Sequence, residues 1–73
     1  MRTLRDLKRG EKAVIKRVIS HSPIHRRLMD MGFVSGTGIE MVKPAPLGDP
    51  LEFKLKGYHL SLRKSEAESV EIE

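Results

Sequence analysis

The chain has 73 residues, of which 38% are hydrophobic and 33% are charged, and its formal net charge is +4. This balance is typical of a folded domain, and the length allows a single domain, residues 1–73, with a small core. The absence of cysteine excludes disulfides and thiolate metal sites. Because no leader is recognisable and no stretch approaches the roughly 20 apolar residues of a membrane span, we expect a cytoplasmic protein.

The charges are unevenly distributed along the chain. Residues 1–27 contain nine Lys or Arg against Asp6 and Glu11, a net charge of +7, whereas the four Glu of residues 66–73 contribute −4. A basic first third can contact nucleic acid, an acidic partner or an anionic membrane surface. It can equally form solvated faces of strands and loops.

The first predicted elements are a short turn and a strand. Leu4 and Leu7 are expected to point inward from the turn, which ends before Gly10. The segment KAVIKRVI, residues 12–19, is rich in β-branched residues and therefore predicts a strand. Its apolar residues fall on both faces, which indicates strong curvature, a bulge or a second covered face.

One helix is predicted between the first two strands. Ser22 is a suitable cap, Pro23 suits the first turn, and Gly32 supplies the left-handed residue that ends the helix. An apolar stripe with helical spacing lies between these signals: Ile24, Leu28 and Met31.

The remaining strands follow from alternating patterns. TGIEMVK, residues 37–43, places Ile39 and Met41 on one face, and VEI, residues 70–72, closes the chain. LEFKLK and YHLSLR predict a hairpin with a two-residue turn at Lys56-Gly57. This register puts six apolar side chains on one face, in the pairs Leu55–Tyr58, Phe53–Leu60 and Leu51–Leu62.

Together these elements predict a mainly β fold. It comprises about five short strands and one short α-helix between the first and second strands. Closing such a sheet into a small barrel removes its edge strands, so an SH3-like or OB-like barrel is expected.

No recognisable catalytic or metal-binding constellation occurs in the sequence. His21 and His25 are four residues apart, but Pro23 starts the helix between them and no third ligand lies at a suitable spacing. His59 belongs to the polar face of its strand, and no P-loop, HExxH or GxSxG is present. We therefore expect no enzymatic activity, no cofactor and no metal site.

Binding of nucleic acid is an alternative that the basic charge favours. Small basic barrels bind single strands by adding aromatic stacking platforms to a positive groove. The chain has three aromatic residues, Phe33, Phe53 and Tyr58, and the last two are predicted to face the core. Binding without such platforms depends on salt and ignores sequence, so no nucleic-acid partner is expected.

The segment PAPLGDP, Pro44 to Pro50, places Leu47 among turn-forming residues. Two interpretations are open. Leu47 either plugs the small core or forms an apolar knob for another protein, whose binding the fixed proline angles would favour by lowering the entropy cost. Met29, which lies off the apolar stripe of the helix, could extend such a surface.

Several motifs in this order resemble the FeoA family of ferrous-iron transport accessory proteins. They are the opening LRDLKRG, the helix end RLMDMGF, the GT turn, the APLGDP loop and the segment LSLRKSEA, and the likeness runs from about Leu4 to Ile72. The resemblance implies an SH3-like barrel that acts as a non-enzymatic interaction module without a shared iron site. The partner it implies is the cytoplasmic part of FeoB, a ferrous-iron transporter with a GTPase domain.

The matching positions give a hypothetical partner surface. Leu47 and Asp49 are the first candidates, and the flanking residues Pro46, Met29, Arg26 and Arg27 follow. The basic first third could lie beside the inner membrane, and nothing indicates whether the chain associates with itself. A second interpretation is an SH3-like domain that acts in metal-dependent transcriptional regulation or binds nucleic acid.

Overall fold

The computed structural model describes residues 2–73, which form five strands, two short α-helices and a 3₁₀ turn at Leu4–Asp6. Neither α-helix has the length and apolar run that crossing a membrane requires. The elements follow in the order β1 Lys12–Val18, α1 His25–Asp30, β2 Gly38–Pro44, β3 Leu51–Leu55, β4 Tyr58–Leu62, α2 Lys64–Ala67 and β5 Val70–Ile72.

The strands form one antiparallel sheet in the order β4-β3-β2-β1-β5. The β3–β4 hairpin has the predicted register, since Leu55 pairs with Tyr58 and Phe53 with Leu60. Its turn residues, Lys56 and Gly57, both have positive φ, at 50° and 84°. These angles match the twist of paired strands, so the turn and the apolar alternation select the same pairing.

Strand β1 contains the irregularity that its pattern predicted. Its register against β5 shifts between Ile15 and Arg17, so that Ile15 and Val18 are both buried although they are three residues apart. A shift of this kind re-aims the side chains that follow it.

The two outer strands of the sheet are β4 and β5. Among residues 2–73, no ladder joins β4 to β5, and the segment between them folds into α2. The free edge of β5 is covered by the N-terminal segment, because Thr3 bridges to Glu71 and the Ile72 N–H donates to the Arg2 carbonyl at 3.0 Å. The mainly β fold with a helix between β1 and β2 is confirmed.

Helix α1 begins later than predicted. Pro23 lies outside the helix, which starts at His25 with Ile24 as its cap residue. The Ser22 hydroxyl, predicted to cap the helix, accepts a long hydrogen bond from the Ile24 N–H at 3.4 Å and lies 3.0 Å from the Ser69 hydroxyl near the start of β5. The helix ends at Asp30, and Gly32, two residues later, has the left-handed conformation predicted to stop it, with a φ of 101°.

The core collects buried apolar side chains from all five strands, from α1 and α2 and from the opening turn. Leu4 and Leu7 point inward as predicted, and Phe33 and Phe53 are its largest fully buried side chains. Tyr58 was expected to face the core, but 41% of it is exposed. Its position at the hairpin end lets its hydroxyl donate to the Met31 carbonyl instead.

Candidate functional site

The β2–β3 loop has a rigid base. The Ala45 N–H donates to the Pro50 carbonyl at 2.9 Å, and the Gly48 N–H donates back to the Ala45 carbonyl at 2.7 Å. Pro46 occupies the second position of this turn, where its fixed φ is favourable, and Gly48 adopts a φ of 89° that favours glycine. The loop is therefore held by its own backbone rather than by packing of its side chains.

Leu47 lies at the tip of this turn, and 97% of it is exposed. It does not plug the core, so the first of its two interpretations is wrong. A concavity of about 340 Å³ lies beside the turn, between the prolines of the loop and Ser61 of β4. The site thus pairs a protruding leucine with an adjacent shallow groove.

Asp49 attaches the loop to α2. One carboxylate oxygen of Asp49 accepts a hydrogen bond from the Lys64 backbone N–H at 2.8 Å, at the first residue of that helix. The Lys64 ammonium also lies near the turn, because a Cβ on Gly48 would be 3.6 Å from its Nζ. Asp49 therefore orients the loop, and Lys64 places a positive charge beside Leu47.

Helix α2 in turn contacts α1 through an ion pair. Arg27 donates to Glu66 at 3.0 Å, so this predicted site residue is engaged within the chain. Arg26 is exposed and Met29 is 38% exposed, both on α1. Among residues 2–73, neither forms a hydrogen bond or ion pair with the loop. The structure therefore brings Pro46, Leu47 and Asp49 together and links the α1 candidates to them only through α2.

A buried carboxylate elsewhere serves the fold. Glu71 of β5 is 2% exposed, and its two oxygens accept hydrogen bonds from Arg17 at 3.0 and 3.1 Å. The pKa of Arg17 is raised above its usual value, mainly by these hydrogen bonds and to a smaller extent by the negative charge of Glu71. Because both carboxylate oxygens are occupied, Glu71 is not available to a ligand.

The histidines form no cluster in the part of the chain from Arg2 to Glu73. No group of three His, Asp or Glu there is arranged to hold a metal ion. His21 is exposed before α1, whereas the Nδ1 of His25 is buried without a hydrogen-bond partner. His59 lies 2.8 Å from Glu52 on the exposed face of the hairpin.

We expect Asp49→Ala to lower the unfolding free energy by about 1 kcal/mol, since the amide at the start of α2 loses its acceptor. For a domain of this size the melting temperature would fall by about 4–8 °C. Asp49→Asn keeps an acceptor oxygen and serves as the matched control. Amide hydrogen exchange at Lys64 should accelerate in the alanine variant only, and equal exchange in all three proteins would contradict the assigned role of Asp49.

The comparisons with known proteins agree with one another. The sequence model of the protein family described as the FeoA domain matches residues 2–73 of this chain. The Fe(2+) transport protein A/Fe(2+) transporter FeoB fusion protein of Porphyromonas gingivalis is 40% identical over 70 residues, which are 96% of this chain and 8% of that protein. The chain therefore spans less than a tenth of this much longer relative.

Two solved structures share the fold closely. The FeoA-like protein of Clostridium acetobutylicum is 41% identical with a TM-score of 0.90, over 97% of this chain and 83% of that one. FeoA of Stenotrophomonas maltophilia, solved with zinc and described as a prokaryotic SH3 domain protein, is 34% identical with a TM-score of 0.89, over 100% and 91% of the two chains. The fold is thus SH3-like, one of the two barrels that the strand pattern predicted and the one that the family resemblance implied, and the chain belongs to the FeoA family.

Proposed function

We propose that this chain is a non-enzymatic accessory of ferrous-iron transport that docks on the cytoplasmic part of a FeoB-type transporter. The observation that carries the proposal is Leu47, held 97% exposed at the tip of a rigid turn. The fusion protein of Porphyromonas gingivalis, which by name joins the two activities in one polypeptide, supports association between them. A covalent link of this kind gives two binding modules a high effective concentration.

The loop has the properties of a docking element. Full burial of a leucine side chain contributes about 1.5–3 kcal/mol. Because the Ala45–Pro50 and Asp49–Lys64 hydrogen bonds already fix the loop, little conformational entropy is lost on binding. The partner patch would therefore be apolar at its centre, with an acidic group opposite Lys64.

Docking would act on transport by shifting a conformational or nucleotide equilibrium. A binder changes such an equilibrium only by the difference between its affinities for the two states, and a few kcal/mol suffice. The protein would then work in the cytoplasm, where its basic surface would be attracted to the anionic inner leaflet of the membrane.

The direct test adds this chain to purified FeoB-type transporter and follows GTP turnover, iron flux and assembly. We expect at least one of them to change saturably with added protein. A transporter whose three properties are all indifferent to saturating amounts of the chain would exclude the proposal.

Two of the three aromatic residues are too buried to serve the nucleic-acid alternative. Phe33 and Phe53 are fully buried, and the hydroxyl of the half-exposed Tyr58 is bonded to the Met31 carbonyl. A stacking platform requires an exposed ring face. Retention on immobilised DNA at physiological salt would favour the alternative, whereas elution below that salt concentration would favour docking on the transporter.

A further inference from the structure

A lysine-rimmed groove lies at the end of the β2–β3 hairpin opposite Leu47. It has a volume of about 260 Å³, and its rim carries Lys12, Lys54 and Lys56. The apolar floor includes Ala13 and Gly38. Because Pro44 and Leu51 flank the Leu47 loop while β2 starts at Gly38, the seven residues of β2 separate the two surfaces by roughly 20 Å.

The rim of the groove carries more positive than negative charge. Three of the four glutamates in residues 66–73 form ion pairs with arginines, in the pairs Arg27–Glu66, Arg5–Glu68 and Arg17–Glu71. In the groove, one carboxylate faces two lysines, because Glu40 stands between Lys12 and Lys54 in the strand register. With Lys56 added, the rim has a net charge of about +2, and among residues 2–73 none of its three lysines forms an ion pair within 4.0 Å.

The floor of the groove is kept open by a glycine that the backbone does not require. Gly38 is not among the residues with positive φ, and a Cβ added to it would meet no atom within 4 Å. A glycine inside a strand weakens that strand, and it often marks a place where a ligand or another backbone approaches closely. Gly38, at the start of β2, therefore leaves open space in which another chain can approach the sheet closely.

We propose that this groove binds an acidic, extended peptide segment of a partner protein. Lys12 and Lys54 stand on strands two apart, a separation of roughly 10 Å. Carboxylates two residues apart on an extended chain share a face at roughly 7 Å, and the flexible lysine side chains can span the remaining distance. One segment that crosses β2 can therefore pair with both lysines. The apolar stems of its side chains would also cover the apolar floor, and removing this apolar surface from water favours binding.

The test uses a fluorescently labelled hexaglutamate peptide and fluorescence anisotropy at low and physiological salt. We expect saturable binding that Lys56→Glu weakens about tenfold, because a favourable charge pair becomes a repulsive one. Lys16→Glu, with the same charge change outside the groove, should weaken binding less than threefold. Gly38→Leu should abolish binding by filling the floor, and thermal melting of each variant confirms that it is folded.

Three results would overturn the proposal: no saturable binding of hexaglutamate, equal losses in the Lys56 and Lys16 variants, or unchanged affinity in a folded Gly38→Leu protein. Tighter binding of phosphatidylglycerol vesicles than of hexaglutamate, lost in the groove variants, would show that the groove binds a membrane and would overturn the proposal. Tighter binding of an oligothymidine strand, lost in the same variants, would show that it binds nucleic acid and would overturn it equally. Leu47→Asp should leave hexaglutamate binding unchanged, because Leu47 lies outside the groove. Peptide binding by the groove and docking through the Leu47 loop are therefore tested independently of each other.

Discussion

The variant Leu47→Asp is expected to melt within about 4 °C of the unmodified chain and yet to lose most of its affinity for the transporter's cytoplasmic part. The stability is preserved because a residue that is 97% exposed contributes almost nothing to the core, and such substitutions change the unfolding free energy by at most about 0.5 kcal/mol. The affinity falls because the apolar contact is lost and a carboxylate must be desolvated in its place. A loss of about 2 kcal/mol or more corresponds to a roughly thirtyfold higher Kd.

Two controls separate the side chain from its charge. Leu47→Met keeps an apolar knob and should bind within about threefold of the unmodified chain, since volume-conserving swaps are tolerated best. Ser35→Asp adds the same charge on an exposed residue just before β2, at the end remote from the loop. Equal affinity of Leu47→Asp and the unmodified chain, measured by calorimetric titration, would remove Leu47 from the partner surface.

The variant Phe33→Ala is expected to lose about 3–5 kcal/mol of unfolding free energy, the usual cost of deleting a buried aromatic ring. Phe33 is fully buried, although it follows the helix in a loop segment. Native domains have only about 5–15 kcal/mol of stability, so a chain of this size would lie near its unfolding threshold. Urea denaturation followed by circular dichroism measures the effect.

The neighbouring residue provides the comparison for Phe33. Val34 is 37% exposed, and Val34→Ala should cost less than about 1 kcal/mol because little buried surface is removed. A Phe33→Ala protein as stable as the Val34→Ala protein would show that the ring is not part of the core. It would also restore Phe33 as a candidate platform for nucleic-acid bases.

The sheet could be predicted from the sequence because two independent signals coincide there. The alternation in residues 51–62 and the Lys56-Gly57 turn each require one register, and a slip of one residue would turn every apolar side chain to the solvent. The two-faced apolar pattern of β1 likewise indicated the shift between Ile15 and Arg17. These features are local, so they are visible in a linear sequence.

Features that depend on distant residues were not predictable in the same way. Helix α2 has its first amide bonded by Asp49, fifteen residues earlier in the chain. The Ser22 hydroxyl is bonded to Ser69 from the last part of the chain. In both cases the hydrogen-bond partner is distant in the sequence and is a neighbour only in the folded structure.

The sequence contains a local signal for the burial of Phe33, but the prediction of the helix did not make use of it. The Gly32 N–H donates to the Met29 carbonyl and the Phe33 N–H to the Leu28 carbonyl, both at 3.0 Å. This is a Schellman motif, in which the residue after the glycine commonly packs against the last turn of the helix. Leu28 and Phe33 are both fully buried in the core.

The candidate site was only partly predictable. Proline and glycine around Leu47 indicated a stiff turn, but whether the leucine pointed inward depended on the shape of the closed fold. Asp49 was predicted as a contact residue, whereas its carboxylate supports α2. Lys64 was not predicted to lie beside the loop, because its proximity to Gly48 results from the path of the chain after β4.

Docking through the loop is tested most directly by nuclear magnetic resonance. The ¹⁵N-labelled chain would be titrated with the unlabelled cytoplasmic domain of the FeoB-type transporter while the backbone amides are followed. We predict that the largest changes occur in residues 45–49 and at Lys64, and that they saturate. Unchanged amides in this segment at saturating concentrations of the partner would contradict the proposal that the Leu47 loop is the docking surface.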